Sequence, residues 1–377
     1  MKQARQVGEQ LFPDLNYCTR CCIPQTSEGV EFDEMGICQI CKSSEQKIHI
    51  NWVERTEKLK NILEQYRGKS TSGYDCIVPI SGGKDSTFQL YILTQVYKLR
   101  CLAVTFSHNW YTETGKYNLK NSIEKFNVDH IMYTPNHDLI RRLTKESLYK
   151  LGDPCWHCHA GVGTFPFQIA VKYKIPLMIW GESAAEGHTR ATYEKPIPFD
   201  REYFTKISAK YYAEELVGDE ISLNEIKPFI LPTYEEIEEV GVVGLHLGDY
   251  IFWDDERQME FVRDHFDWKE DHVEGTYKQY KSVECRMAGL HDYTKFLKRG
   301  FGRATDHASR DVRAGLLTRE EAFELIAAHD PERPKILDWY LETTGFSEEE
   351  FLKVMQAHRN ETMGTKTCTD CESCGYF

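Results

Sequence analysis

The hexapeptide Ser81-Gly82-Gly83-Lys84-Asp85-Ser86 constrains this chain more than any other segment, because it follows the apolar run Tyr74-Asp75-Cys76-Ile77-Val78-Pro79-Ile80 and opens a helical pattern. That order is strand, glycine turn, helix. Two adjacent glycines let the backbone approach an anion closely and take positive φ, while Ser81, Ser86 and the free N–H groups of the helix start supply donors. The element reads as a phosphate cradle. It is not the other common phosphate loop, which spaces its glycines widely and ends in Gly-Lys-Ser/Thr.

From residue 74 apolar strands alternate with helical stretches, at 77 to 80, 101 to 106, 130 to 133 and 176 to 180. This alternation predicts an α/β fold, a parallel sheet with helices on both faces. Ligands of such sheets bind at the carboxyl ends of the strands. There the phosphate loop meets the segments Ser107-His108-Asn109 and Gly181-Glu182-Ser183. Glu182 is a candidate magnesium ligand or general base, against the reading of a solvated loop carboxylate.

The flanks read differently. Cys18, Cys21, Cys38 and Cys41 form two CxxC pairs with Gly29 and Gly36 between them, the spacing of a zinc ribbon over residues 1–50. Two knuckles present four thiolates to one tetrahedral ion, and the metal supplies the folding energy that so small a module lacks. Cys22 is a neighbour that either stands by or replaces Cys21. Residues 51–73 read as a helix and a linker, 74–215 as the nucleotide domain, and 216–377 as a mainly helical region covering the mouth of the sheet. Its expected helices are 254–266, 285–299, 318–328 and 347–358, with capping boxes at Thr318/Glu321 and Ser347/Glu350.

Composition narrows the class. A chain of 377 residues, 41% of them hydrophobic, buries a full core, and a net charge of −13 argues against general nucleic-acid or membrane binding. No apolar stretch reaches signal-peptide or bilayer-spanning length, so a cytoplasmic protein is expected, with thirteen cysteines that are reduced or metallated rather than bridged.

Three further groups carry chemistry. Cys155-Trp156-His157-Cys158-His159 lies between the third and fourth expected strands. Cys155 and Cys158 could bind a metal or cluster with Cys285, bind zinc with His157 or His159, activate sulfur, or stay as plain thiols in a packed loop. Cys368, Cys371 and Cys374 near the end offer three thiolates, and a fourth ligand would have to come from Cys22 or His358. Lys295, Lys298, Arg299, Arg303, Arg310 and Arg313 cluster around Gly300 and Gly302. Arginine forks suit phosphates, so this cluster is expected to be an anion pocket for substrate, against the alternative of a solvated basic face.

The hexapeptide resembles the SGGxDS loop of the PP-loop ATP pyrophosphatases (adenine nucleotide alpha hydrolase-like proteins), which split ATP into AMP and pyrophosphate. By that resemblance Ser81, Gly82, Gly83 and Ser86 hold the β,γ-phosphates, Lys84 neutralises charge, Asp85 helps place magnesium, and Phe106, Ser107, Asn109 and Gly181 contact the nucleoside side. The order of parts, from CTRCC and CQIC through SGGKDS, CWHCHAG and GES to RGFGRATDHASRDVRAG, resembles the N-acetyl sugar amidotransferase family over about residues 15 to 360. That likeness implies conversion of the acetamido group of a free or nucleotide-linked sugar to an acetamidino group, in surface-polysaccharide or flagellin-glycan biosynthesis. It also implies ammonia from a separate glutaminase and its cyclase-like partner. His157, His159 and Glu182 are then alternative proton acceptors. The rival reading is a PP-loop sulfur transferase acting on tRNA or a small molecule, because Cys155, Cys158 and Cys285 resemble the cluster ligands of some tRNA thiolases. A nucleotide-binding scaffold without catalysis is the remaining alternative, and the intact loop argues against it.

Overall fold

Among the described residues five short strands decide the architecture: β1 (Cys76–Pro79), β2 (Cys101–Phe106), β3 (Asp129–Tyr133), β4 (Leu177–Trp180) and β5 (Val243–His246). They form one sheet in the order β3-β2-β1-β4-β5, and every neighbouring pair is parallel. The computed structural model describes residues 10–186, 191–194, 201, 203–204 and 209–363. All residues of β1 and β2 are buried, as expected of strands covered on both sides.

Side-chain alternation sorts the sheet into two faces. Ile77, Leu102, Val104, Phe106 and Met178 point to one face, where Ile140 and Leu143 of the helix His137–Leu151 and Phe167 and Ala170 of the helix Trp156–Tyr173 pack on them. Cys76, Val78, Ile80, Cys101, Ala103, Leu177 and Ile179 point to the other, against Leu59 and Leu63 of Trp52–Tyr66, Leu90 of Lys84–Tyr91, and Leu119 and Phe126 of Glu113–Phe126. The strand order reverses at β1, which lies between β2 and β4, so the crevice for a ligand opens beside the carboxyl end of β1.

Two features differ from the sequence reading. The sheet takes its fifth strand from beyond residue 215, so sheet and helical region interleave in the chain. The cysteine–histidine motif at 155–159 starts a long buried helix, Trp156–Tyr173, rather than a loop.

The N-terminal ribbon is fastened to the C-terminal helices. Arg319, at the start of the helix Arg319–His329, donates to the carbonyl oxygens of Cys18 (3.1 Å) and Cys21 (3.0 Å). Cys22 is buried among Ala308, Ala322, Phe323 and Ile326, which makes it a packing residue of this joint. Among the described residues no helix is long and apolar enough to cross a membrane. Cys368, Cys371 and Cys374 lie outside the described residues, and His358 Nε2 is engaged with the carbonyl of Tyr149 at 2.8 Å.

Candidate functional site

The glycine loop turns where β1 ends. Gly82 has φ +89°, and a Cβ on it would stand 2.7 Å from the backbone nitrogen of Leu119, so both conformation and space require glycine. Gly82 itself is absent from the cavity wall described below. Ser81 Oγ accepts from the Gly83 N–H at 3.2 Å, Ser86 Oγ donates to the Gly83 carbonyl at 3.0 Å, and Trp268 Nε1 donates to the Gly82 carbonyl at 2.9 Å. The loop is therefore held in shape from both sides.

Above it lies a dense set of charges. Lys84 Nζ, with its side chain 1% exposed, donates to Asp85 Oδ1 at 2.5 Å and to Asp255 Oδ1 at 2.8 Å. Lys281 Nζ stands 3.0 Å from Asp255 Oδ2 and 3.7 Å from Asp85 Oδ2. Arg310 pairs with Asp255 and approaches Glu182 at 4.0 Å. Burial opposes the charge on Asp85, yet Lys281 and Lys84 hold its carboxyl well below the usual range. Burial likewise disfavours the ammonium of Lys281, but Asp85 and Glu182 keep its pKa above the ordinary value. Lys84, Lys281 and Arg310 thus converge on one spot, the charge complement of a polyphosphate.

All of these groups except Asp255 line a cavity of about 540 Å³ that also reaches Phe106, Gly181, His108, Tyr111, Glu284 and the N-terminal turns of the three helices Trp156–Tyr173, Ala288–Arg299 and Arg303–Arg313. Ser81, Gly83, Lys84, Asp85 and Ser86 line it from the loop. Ser107 and Asn109 do not reach its wall, a correction to the sequence reading. The chain leaves β2 extended as far as His108, so Phe106 and His108 share one side while Ser107 faces away; Asn109 then turns with φ +70°, and its Nδ2 is committed to the Pro135 carbonyl at 2.9 Å. His108 stacks on Tyr111 at 4.2 Å between ring centres, and burial pushes its pKa down to about 4.

Helical geometry divides the CWHCH motif. Cys155, Cys158 and His159 line the cavity, whereas His157 points the opposite way, fully buried edge-on to Trp110, with its pKa pushed down to about 3 by burial. His157 therefore has no access to a ligand in the cavity. Burial lowers His159 to about 4. Cys285 joins Cys155 and Cys158 on the cavity wall, and burial raises the pKa of all three thiols, Cys285 to about 12. Their ligand atoms do not form a mutually close group of the kind the ribbon cysteines make, so one ion held by all three is not the arrangement here.

The arginine cluster also divides. Arg303 and Arg310 line the cavity. Arg299 turns outward to pair with Glu28, and Arg313 faces the ribbon, where its charge acts on Cys21 and Cys22. The expected anion pocket at Gly300 and Gly302 is filled by the protein itself. Asp330 accepts from the N–H groups of Gly302 (2.8 Å) and Ala304 (2.9 Å) and from the Thr305 hydroxyl (2.6 Å), capping the helix Arg303–Arg313. A Cβ at Gly302 would stand 2.7 Å from Asp330 Oδ1. Because Arg303 and Arg310 ride on this helix, Asp330→Ala should destabilise the chain by about 2–3 kcal/mol through the lost cap and stranded buried donors. Urea unfolding of the variant checks this.

Four buried ribbon sulfurs lie within 4.8 Å of one another, with Cys18–Cys41 and Cys21–Cys38 both at 3.8 Å. Bonds of about 2.3 Å to a tetrahedral ion set sulfurs about 3.8 Å apart, so the group fits a single metal ion. The N–H groups of Cys21, Cys38 and Cys41 point at Cys18 Sγ or Cys38 Sγ from 3.3 to 3.5 Å, which orients the thiolates.

The parallel sheet with SGGKDS at its switch point and cations above it defines a PP-loop protein of the ATP-using class. Residues 274–367 narrow this further: they match the C-terminal domain of the LPS biosynthesis protein WbpG-like family. That segment is thus similar to the C-terminal domain of these proteins, in agreement with the resemblance read from the sequence. Two uncharacterized proteins of Methanocaldococcus jannaschii are similar, one 21% identical over 83% of this chain and 91% of its own, the other 22% identical over 66% and 88%. Among solved structures, the U34-tRNA thiolase NcsA from Methanococcus maripaludis with its [4Fe-4S] cluster aligns at 13% identity and TM-score 0.32, over 82% of this chain and 88% of that one. NMN synthetase from Francisella tularensis aligns at 15% and 0.29, over 59% and 89%. TM-scores this low carry no argument about this chain.

Two cavity residues, Lys281 and Glu284, and the carboxylate Asp255 that pairs with the cavity's cations have no sequence signature. Asp255, Lys281 and Glu284 come from segments without recognisable spacing; only the position of Glu284 beside the already conspicuous Cys285 drew attention to its neighbourhood.

Proposed function

We propose that this protein is an ATP-dependent amidotransferase that converts a sugar acetamido group to an acetamidino group, using ammonia from a partner glutaminase and releasing AMP and pyrophosphate. The observation that carries the reading is one cavity in which the phosphate loop faces residues 280–310, most of that side lying in the segment that matches the WbpG-like domain. The LPS biosynthesis in that family's name accords with a glycan precursor as substrate.

An amide oxygen is a poor leaving group, so the amide must be activated first. Its oxygen attacks the α-phosphorus of ATP, the bond to pyrophosphate breaks, and an O-adenylyl imidate forms. The departing charge falls on the Ser81–Ser86 loop, where the Lys84 and Lys281 ammonium groups and the Arg310 guanidinium are already fixed and need no reorganisation. Ammonia then attacks the imidate carbon and loses a proton, and AMP leaves with the former amide oxygen. His159 and Glu182 line the cavity and are the available proton acceptors; His157 is not. Gly181 and Phe106 border the space for the nucleoside.

Asp85 and Glu284 would hold magnesium beside the loop. Glu284 lies against Gly83, and its buried Oε2 makes no hydrogen bond, which suits a hard cation. The ion supplies charge neutralisation at the leaving phosphates. Zinc is the ion proposed for the ribbon, in a structural role.

The three thiols on the cavity wall favour one second reading, a sulfur transferase with an iron–sulfur cluster at Cys155, Cys158 and Cys285. The test uses an acceptor sugar whose amide carries heavy oxygen. Amidotransfer through the imidate moves that label into AMP; retention of the label in the sugar, with sulfur found in any product, overturns the proposal.

A further inference from the structure

Among the described residues, one further set of metal-ligating side chains converges outside the ribbon and the phosphate loop. Asp153 stands in the turn after the helix His137–Leu151, His159 in the first turn of Trp156–Tyr173, and His291 in the first turn of Ala288–Arg299. One ligand atom from each lies within 4.8 Å of the other two. We infer that Asp153, His159 and His291 form a second metal site, for a first-row divalent ion of the zinc class, with an open coordination position toward the cavity.

Four observations support this. The donor set of two imidazoles and one carboxylate is that of three-ligand sites that keep a position free for water or substrate. Both imidazoles line the main cavity, so the free position faces the space where the acceptor and ammonia would meet. Asp153 Oδ1 accepts from the Cys155 N–H at 2.8 Å, an outer contact that fixes the carboxylate as such contacts do at metal centres. Finally, Asp153 and His291 do not close on one another: His291 Nδ1 is 3.5 Å from Asp153 Oδ1 and makes no hydrogen bond, where a direct N–H···O bond would stand at about 2.9 Å. The lone pairs are spaced for an ion between them.

Lys298 lies near this group, and its Nζ is turned to the Leu151 carbonyl at 3.3 Å. The site is separate from the Cys155, Cys158 and Cys285 thiols in donor chemistry, and that difference makes it testable. It stands whether the cavity carries out amidotransfer or thiolation, and with His159 engaged as a ligand it leaves Glu182 as the proton acceptor of the proposed amidotransfer.

The experiment is a cobalt(II) titration of the purified, metal-stripped full chain, followed by absorption. The expected result is one equivalent with thiolate-to-cobalt charge transfer, from the ribbon, and a further equivalent showing ligand-field bands without it. His291→Gln and Asp153→Asn should lose the second equivalent and keep the first, whose persistence shows that the variants fold. If either variant does not fold, the wild-type spectrum of the second equivalent decides by itself. Binding of the ribbon equivalent alone, a second equivalent with thiolate charge transfer, or a second equivalent that survives both substitutions would overturn the site.

Discussion

Asp85→Ala is expected to lower ATP-dependent pyrophosphate release by at least about 100-fold, the loss typical when a preorganised charge is removed from a transition-state site. The reason lies in the charge balance above the loop. Asp85 sits between Lys84 at 2.5 Å and Lys281 at 3.7 Å, and with Asp255 it keeps two buried ammonium groups in place. Without it, the two cations share Asp255 with Arg310, and one of the two carboxylates proposed to hold magnesium is gone. Asp85 borders the open cavity, so the substitution leaves no void in the apolar core; the ammonium groups that lose a partner lower the melting transition, and a single cooperative transition above the assay temperature shows that the variant is folded when assayed. Activity within a few-fold of wild type would remove the loop from the reaction.

The second large effect concerns the ribbon. Cys38→Ser should cost the chain its ribbon metal and unfold residues 18–41 as a unit. Structural zinc contributes about 10–16 kcal/mol of apparent binding energy to small modules, as much as the whole stability of an ordinary domain. The damage should spread, because Cys22 packs among Ala322, Phe323 and Ile326 and Arg319 donates to the Cys18 and Cys21 carbonyls. Metal analysis together with limited proteolysis measures it: the variant should hold one equivalent less and be cleaved between Cys18 and Cys41. A variant with unchanged metal content and protease resistance would contradict the ribbon as described.

Much of this architecture is legible in the sequence, for physical reasons that also mark where legibility ends. Strands buried on both faces must be apolar throughout, so 77–80 and 101–106 declare themselves, and β2 falls on the expected residues. Val243–His246 does not, because an edge strand half open to solvent is short and mixed in character. The phosphate loop is legible because its parts are contiguous. Its counter-charges are not, since Asp255 meets Lys84 across 171 residues of chain and no local pattern encodes that meeting. Periodicity explains the remaining differences. The parity of an extended chain puts His108 on the cavity and turns Ser107 away, the left-handed turn at Asn109 takes that side chain elsewhere, and the turn of a helix places Cys155, Cys158 and His159 together while sending His157 into the core. At Gly302 the sequence signals an anion site, and the anion is Asp330 of the same chain.

The most direct measurement follows pyrophosphate and product mass together, with the purified chain, Mg-ATP, ammonium and a panel of free and nucleotide-linked N-acetyl sugars. The account predicts pyrophosphate release that depends on one sugar and a product lighter by the difference between an oxygen atom and an NH group. Failure of every sugar to turn over, alongside sulfur incorporation into tRNA by the same preparation, would contradict it.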